Sequence, residues 1–227
     1  MDVVANNLAN LETSGFKASS QIFEEYLMPN ADATDSLPAD RDVSFVIDTG
    51  TLQDLSAGPT RQTGNPLDMA IDGEGWFAVQ TPDGERYTRN GAFQLNRDGD
   101  LVTTEGFQVL GDGGPISFDD RDGAIAIGSD GTISTEAGEK GRIRIAEFAT
   151  EVLLEPEGSS TFSSPVPPRT SDTARVRQGM LEGSNVKPIV EMTRMIEVTR
   201  AYTSLSNILE KVEDMRRNAV GILATVE

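Results

Sequence analysis

The sequence contains no cysteine and no histidine. Without cysteine the chain forms no disulfide, which suits a protein that crosses or occupies an oxidising compartment, although a reducing cytosol also permits it. Without histidine the chain lacks the usual general base and the commonest transition-metal ligand. The absence of histidine therefore argues against an enzyme or a transition-metal protein.

Aromatic residues are also scarce, at 6% of the 227 residues, so a mainly aliphatic core is expected. No run approaches about 18 apolar residues, and the start of the chain lacks the pattern of a cleaved signal peptide. The chain also has neither a phosphate-binding G-x-x-x-x-G-K-S/T motif nor a G-x-S-x-G nucleophile motif. We therefore expect no catalytic residue, no cofactor, no metal ion and no direct membrane insertion.

Acidic residues are concentrated in the middle of the chain. Residues 31–174 carry 26 acidic and 10 basic side chains, whereas residues 1–30 and 175–227 are nearly neutral. An acidic body is a poor partner for nucleic acid or an anionic membrane. The nearly neutral ends, by contrast, can pack against like ends without strong repulsion.

A long helix is predicted at the C-terminal end, from Val186 to Ile222, because apolar residues there recur every three or four positions. Ser184 or Asn185 is the expected N-cap, and Pro188 falls in the first turn, where a missing N–H does no harm. The apolar positions predicted to need a packing partner, supplied either by other subunits or by further residues before Met1, are Ile189, Met192, Met195, Val198, Tyr202, Leu205, Leu209 and Val212.

The N-terminal stretch predicts a second, shorter helix with two faces. Leu8 and Leu11 lie on the apolar face. Asn6, Asn7 and Asn10 form an uncharged polar face that suits burial against another polar face, where hydrogen bonds of the amides fix the register. The alternative is a frayed terminus in which the asparagines have no role.

The N-terminal helix is predicted to stop at Gly15. The glycine is expected in the left-handed C′ position with Phe16 following it, and Leu11 supplies the apolar contact of a Schellman motif.

Between the helices, short apolar segments alternate with Asp-Gly and Asn-Gly dipeptides, which predict tight hairpins in an antiparallel sheet or small barrel. Two Pro- and Ser-containing stretches predict extended connectors. The predicted organisation lists the N-terminal helix and turn at residues 1–28, a connector at 29–63, the β-rich domain at 64–154, a second connector at 155–180 and the C-terminal helix at 181–227.

Two other functions remain open from the residues alone. An extracellular binding module would present the acidic domain on a coiled-coil stalk and would need an exposed aromatic patch around Trp76 and Tyr87. A carboxylate hydrolase would use Glu74, but no second acid is singled out to pair with it.

Several segments resemble the bacterial flagellar axial proteins, which form the rod and hook. They are ANNLAN with TSGFK at residues 5–17, NPLDMAIDGEGWFAV at 65–79, the stretch 85–116, and LEGSNVKPIVEMTRMIEVTRAY at 181–202. Their joint occurrence in this order is highly specific. The tract from Val109 to Ile116 is more similar to the proximal-rod than to the distal-rod members.

The resemblance implies a non-enzymatic subunit of the basal-body rod that polymerises helically with itself and with neighbouring proximal- and distal-rod subunits. The implied fold is mixed but mainly β: an antiparallel β-rich central domain flanked by an N-terminal helix and a long C-terminal helix that pair as a coiled coil. The resemblance also implies export by the flagellar type III apparatus without a cleaved signal peptide. Because members of this family begin with further helical residues, Met1 is expected to align inside the first helix.

Overall fold

A computed structural model describes residues 1–28, 43–119, 121–149, 154–158, 160–171 and 173–224. The chain divides into two compact units. The helical unit comprises Met1–Ala9 and Lys187–Glu227, and the β-rich unit comprises Asn10–Val186.

The helical unit contains α1 (Asp2–Ala9) and α2 (Pro188–Ala224), and α1 lies against α2. The 37 residues of α2 span about 55 Å at 1.5 Å per residue. A short N-terminal helix and a long C-terminal helix are therefore confirmed. The predicted extent of α1 is wrong, because it ends at Ala9 rather than just before Gly15.

The end of α1 has a local cause. Thr13 donates two hydrogen bonds to Asn10. Its backbone N–H donates to Asn10 O at 3.3 Å, and its hydroxyl donates to Asn10 Oδ1 at 3.1 Å. Asparagine and threonine side chains compete in this way with helical hydrogen bonding. The chain therefore turns after Ala9.

The start of α2 also differs from the prediction in one respect. Pro188 is the first helical residue, as expected, but Lys187 precedes it and its carbonyl accepts the first backbone bond, from Glu191 N at 3.1 Å. Neither Ser184 nor Asn185 is the N-cap. Asn185 instead accepts a hydrogen bond from Ala18 N at 2.7 Å through its side-chain oxygen.

Most strands of the β-rich unit are short, as the turn-rich sequence predicts, but the first two are 10 and 11 residues long. In chain order these are β1 (Ser19–Met28), β2 (Val43–Gln53), β3 (Thr60–Gln62), β4 (Met69–Asp72), β5 (Trp76–Thr81), β6 (Gly84–Thr88), β7 (Phe93–Leu95), β8 (Leu101–Thr103), β9 (Gln108–Gly111), β10 (Gly114–Pro115), β11 (Ala126–Ile127), β12 (Thr132–Thr135), β13 (Gly138–Arg142), β14 (Ile145–Glu147), β15 (Glu155–Gly158), β16 (Thr161–Ser163), β17 (Arg169–Thr170), β18 (Arg175–Gln178) and β19 (Met180–Glu182).

The largest sheet has the order β15-β16-β6-β5-β9-β8-β7, and its pairings are antiparallel. Its central strand, β5, is buried on both faces. Phe77 and Val79 belong to one apolar cluster, while Trp76 and Ala78 belong to the other. Trp76 packs edge-to-face on Phe162, with their ring centroids 5.0 Å apart. Two cores therefore share one strand.

The hairpin prediction is confirmed at four of the six Asp-Gly dipeptides. β5 pairs with β6 around Asp83-Gly84, β7 with β8 around Asp98-Gly99, β9 with β10 around Asp112-Gly113, and β11 with β12 around Asp130-Gly131. It is wrong at Asp72-Gly73 and Asp122-Gly123, because β4 pairs with β18 and β10 with β9 rather than with the strand that follows. The Asn90-Gly91 dipeptide has a different role. A Cβ on Gly91 would lie 1.8 Å from Met69 O, so this glycine allows two chain segments to approach closely.

Both predicted connectors contain strands. The stretch 155–180 contributes β15 to β18, with Phe162 of β16 in the core and β18 paired to β4. The stretch 29–63 includes β2, which pairs with β1, and β3, which pairs with β19; residues 29–42 lie outside the described residues. Strand pairing with distant partners thus extends the β-rich unit well beyond residues 64–154.

One ion pair of this unit should make stability depend on pH. Asp122 accepts hydrogen bonds at Oδ2 from Lys140 Nζ, 2.8 Å away, and from Asp119 N at 2.6 Å, and these contacts lower the pKa of Asp122. A lowered folded-state pKa stabilises the fold above the ordinary carboxyl pKa, and the contribution disappears as the pH falls through the lowered value.

Asp122→Asn is therefore expected to be less stable than the unmodified chain at pH 7, and the difference should shrink below about pH 4. Denaturant midpoints measured from pH 7 to pH 2 check this. Asp119→Asn is the matched control, because it removes the exposed partner of the same lysine. A stability difference that stayed constant across this range would contradict the assignment.

Candidate assembly surface

Large apolar side chains are exposed along α2. Tyr202 is 71% exposed and Ile189 80%, although isoleucine is among the residue types most often fully buried. The exposed apolar side chains of α2 are Ile189, Val190, Met192, Ile196, Val198, Tyr202, Leu205, Ile208, Leu209, Val212 and Met215. Seven of the eight predicted packing positions on α2 are in this set, and Met195 is half-buried.

The exposed apolar residues do not form a single stripe. An α-helix turns 100° per residue, so residues nine positions apart lie on opposite sides. Ile189 and Val198 are such a pair, and so are Ile196 and Leu205; all four are exposed. A helix that is apolar on opposite sides is normally buried on more than one side. One partner helix cannot cover this surface.

Ile196 and Ile208 were missed because the prediction followed one line of apolar residues along the helix. The signal was present in the sequence. Ile196 follows Met192 by four positions, and Ile208 follows Leu205 by three. Steps of this size indicate neighbours on a helix surface.

The predicted positions near the N-terminus do not share one helical face. Asn6 is exposed in α1, while Asn7 is only 1% exposed and Leu8 is half-buried. Asn10 and Leu11 are half-buried in the β-rich unit, beyond the end of α1. The expected face with three asparagines side by side is therefore wrong.

Gly15 and Phe16 do not end a helix. Gly15 has the predicted positive φ, at 68°, but it lies six residues beyond Ala9 and donates its N–H to Glu182 O at 2.8 Å. Phe16 O accepts a hydrogen bond from Asn185 N at 3.4 Å. Both residues instead join the segment after α1 to the segment before α2, within the β-rich unit.

The surface required by the binding-module alternative is not formed. Trp76 is fully buried and Tyr87 is 5% exposed. Burial and a hydrogen bond from the Tyr87 hydroxyl to Glu85 raise the pKa of that hydroxyl. These aromatic rings form core, not a ligand-stacking patch. Within the described ranges, none of the helices is both long and apolar enough to cross a membrane.

Three family models match the chain in order. The first, for a flagella basal body rod protein, matches residues 1–17; the second, for the flagellar hook protein FlgE/F/G D1 domain, matches residues 70–159. The third, for the C-terminal region of the flagellar basal body rod FlgEFG proteins, matches residues 177–222. The third match includes most of α2.

Individual proteins are similar over nearly the whole chain. The flagellar basal-body rod protein FlgF of Caulobacter vibrioides is 38% identical over 100% of this chain and 92% of its own length. FlgF of Mesorhizobium japonicum is 33% identical over 99% of this chain, and FlgG of Bacillus subtilis is 34% identical over 98%, each match covering 92% of that relative. The chain belongs to the family of flagellar basal-body rod proteins.

Proposed function

We propose that the chain is a structural subunit of the flagellar basal-body rod and that the exposed apolar surface of α2 holds it to neighbouring subunits. The observation that carries this function is the presence of exposed apolar side chains on opposite sides of α2. Membership of the rod-protein family supports the rod as the assembly in which neighbouring subunits cover this surface. The protein has a structural role rather than an enzymatic one.

The occupants of this surface are copies of the chain and related rod proteins. In the assembled rod, α1 and α2 pair as a coiled coil, and the predicted packing residues of α2 lie between subunits. The apolar side chains and the contact between α1 and α2 support this arrangement. Each Å² of apolar surface buried by such packing contributes about 25 cal/mol of stabilisation. This favours association once several neighbours are present.

The proximal rod is the position that we propose for this subunit. The similarity to two FlgF proteins, one of them at 38% identity, supports it, together with the tract from Val109 to Ile116. We also propose export through the flagellar type III apparatus without cleavage of a signal peptide. The absence of cysteine is compatible with that route.

The direct test is recovery of the chain from assembled rods. Flagellated cells should express a tagged copy of the chain in place of their own copy of this protein. Mass spectrometry of purified basal bodies should then detect the tagged chain. A cryo-EM map of the rod should show α2 covered by neighbouring subunits. A tagged FlgG in the same cells serves as the control for recovery of rods. Intact rods from which the chain is missing would contradict the proposed function.

A further inference from the structure

Three buried charged side chains meet inside the β-rich unit. Glu182 Oε1 lies 2.7 Å from Lys17 Nζ, and Glu182 Oε2 lies 3.3 Å from Arg89 Nη1. The exposed fraction of the side chain is 1% for Glu182, 0% for Lys17 and 4% for Arg89. We call these three residues the Glu182 cluster. Charges so well buried need partners, because they have lost their hydration.

The chain around the Glu182 cluster supplies further polar contacts. Lys17 Nζ donates to Ser56 O at 2.6 Å, and Arg89 Nη2 donates to Gly73 O at 3.0 Å. The Glu182 carboxylate also accepts from Gly58 N at 3.0 Å. Both cations lie over the Trp76 ring, with Lys17 Nζ 5.9 Å and Arg89 Cζ 5.4 Å from its centroid. Cations over an indole face are attracted by the ring.

The cluster lies where the two ends of the β-rich unit run side by side. Gly15 N donates to Glu182 O at 2.8 Å, and Ala18 N donates to the Asn185 side chain at 2.7 Å. Asn185 Nδ2 in turn donates to Asp54 O at 2.7 Å. Residues 15–18 follow α1 in the chain, and residues 182–185 precede α2. Residues 54–58 lie against both of these segments.

We propose that Lys17, Arg89 and Glu182 are positioning residues that clamp residues 15–18, 54–58 and 182–185 together. Glu182 is the anion that holds both cations. Without its charge, two cations would stay buried against one another, so the three segments should separate while the apolar cores on both faces of β5 remain packed. The clamp deepens the proposed function, since it fixes the segments that continue into the assembly helices.

Hydrogen exchange of the full chain, followed by mass spectrometry, tests this without any assembly. In Glu182→Gln, amides of residues 15–18, 54–58 and 183–185 should exchange at least about 100-fold faster, with β5 unchanged. In Lys17→Met, the acceleration should be strongest at residues 15–18, because Arg89 and Gly58 still bind Glu182. Asp72→Asn, which removes the exposed partner of Arg177, is the matched control and should leave all three segments unchanged.

The double variant Lys17→Met/Glu182→Gln separates charge from packing. Because it removes one of the two cations that lose the carboxylate of Glu182, residues 54–58 should exchange more slowly in it than in Glu182→Gln. The clamp would be overturned if exchange rates were unchanged in both single variants, or if they rose equally in all strands. It would also be overturned if the effect of the double variant on exchange equalled the sum of the effects of the two single variants. If Glu182→Gln does not fold, Lys17→Met decides by the same criteria. If the exchange results agree with the clamp but the chain is missing from purified rods, the proposed function is contradicted and the clamp is not.

Discussion

Replacing Gly15 by alanine should destabilise the β-rich unit by about 4 kcal/mol or more, far beyond the effect of losing a helix stop. A Cβ at this position would lie 2.3 Å from Asn90 N and 2.4 Å from the carbonyl carbon of Arg89. Both atoms belong to the backbone, so no side-chain rotation relieves the overlap. The segment must move away, which breaks the Gly15 hydrogen bond to Glu182 O.

Gly64→Ala is the matched control for this substitution. Gly64 has a φ of 78°, close to the 68° of Gly15, but apart from its two chain neighbours no atom of the described residues lies within 4 Å of a Cβ built on it. Gly64→Ala should lower the free energy of unfolding by only about 1–2 kcal/mol, which is the cost of a left-handed conformation for alanine. Urea unfolding followed by far-UV circular dichroism measures both variants. Equal losses at the two positions would mean that the close approach to Arg89 and Asn90 does not limit the fold.

Gly15 also shows what local sequence can and cannot predict. Its positive φ was predicted, because a glycine after polar residues at the end of an apolar pattern favours a left-handed conformation. The reason given for that conformation was wrong. The contacts that require glycine come from residues 89 and 90 and from Glu182, and nothing near position 15 in the sequence indicates them.

The same limit explains the strands in the predicted connectors. The hairpins around Asp83-Gly84 and Asp98-Gly99 join strands that are neighbours in the chain, so local turn chemistry favours them. β16 and β18 are three and four residues long, and they pair with β6 and β4, which lie far earlier in the chain. Strands this short, in Ser- and Pro-rich sequence, give no periodic signal of their own.

The Glu182 cluster is a further feature without a local signal. Lys17, Arg89 and Glu182 each look like an ordinary surface charge in their own segment. Their burial follows from pairings such as β19 with β3, which bring Glu182 beside residues 54–58. The apolar surface of α2 could be predicted, by contrast, because the spacing of its residues lies within one helix.

Introducing a charge at Leu205 should prevent rod assembly without unfolding the isolated chain. Leu205 lies on α2 and is 56% exposed, so its replacement by aspartate leaves little buried contact to lose in the monomer, and the unfolding midpoint of the β-rich unit should stay unchanged. In the rod the same carboxylate would be buried among apolar side chains without a partner. An unpaired buried charge costs several kcal/mol, and the cost recurs in every subunit.

Asn207→Asp adds the same charge to α2, two residues further along. Successive residues are 100° apart, so position 207 points about 160° away from position 205. It points to the same side as Ile196, but Ile196 lies eleven residues, about 16 Å, earlier along the helix. Around position 207 this side carries Thr203, Lys211 and Asp214, where a carboxylate can remain hydrated or pair. Basal bodies purified from cells expressing each variant should contain the chain with Asn207→Asp and lack the chain with Leu205→Asp. Normal incorporation of Leu205→Asp would show that this side of α2 stays open to water in the rod, and the apolar surface would then need another explanation.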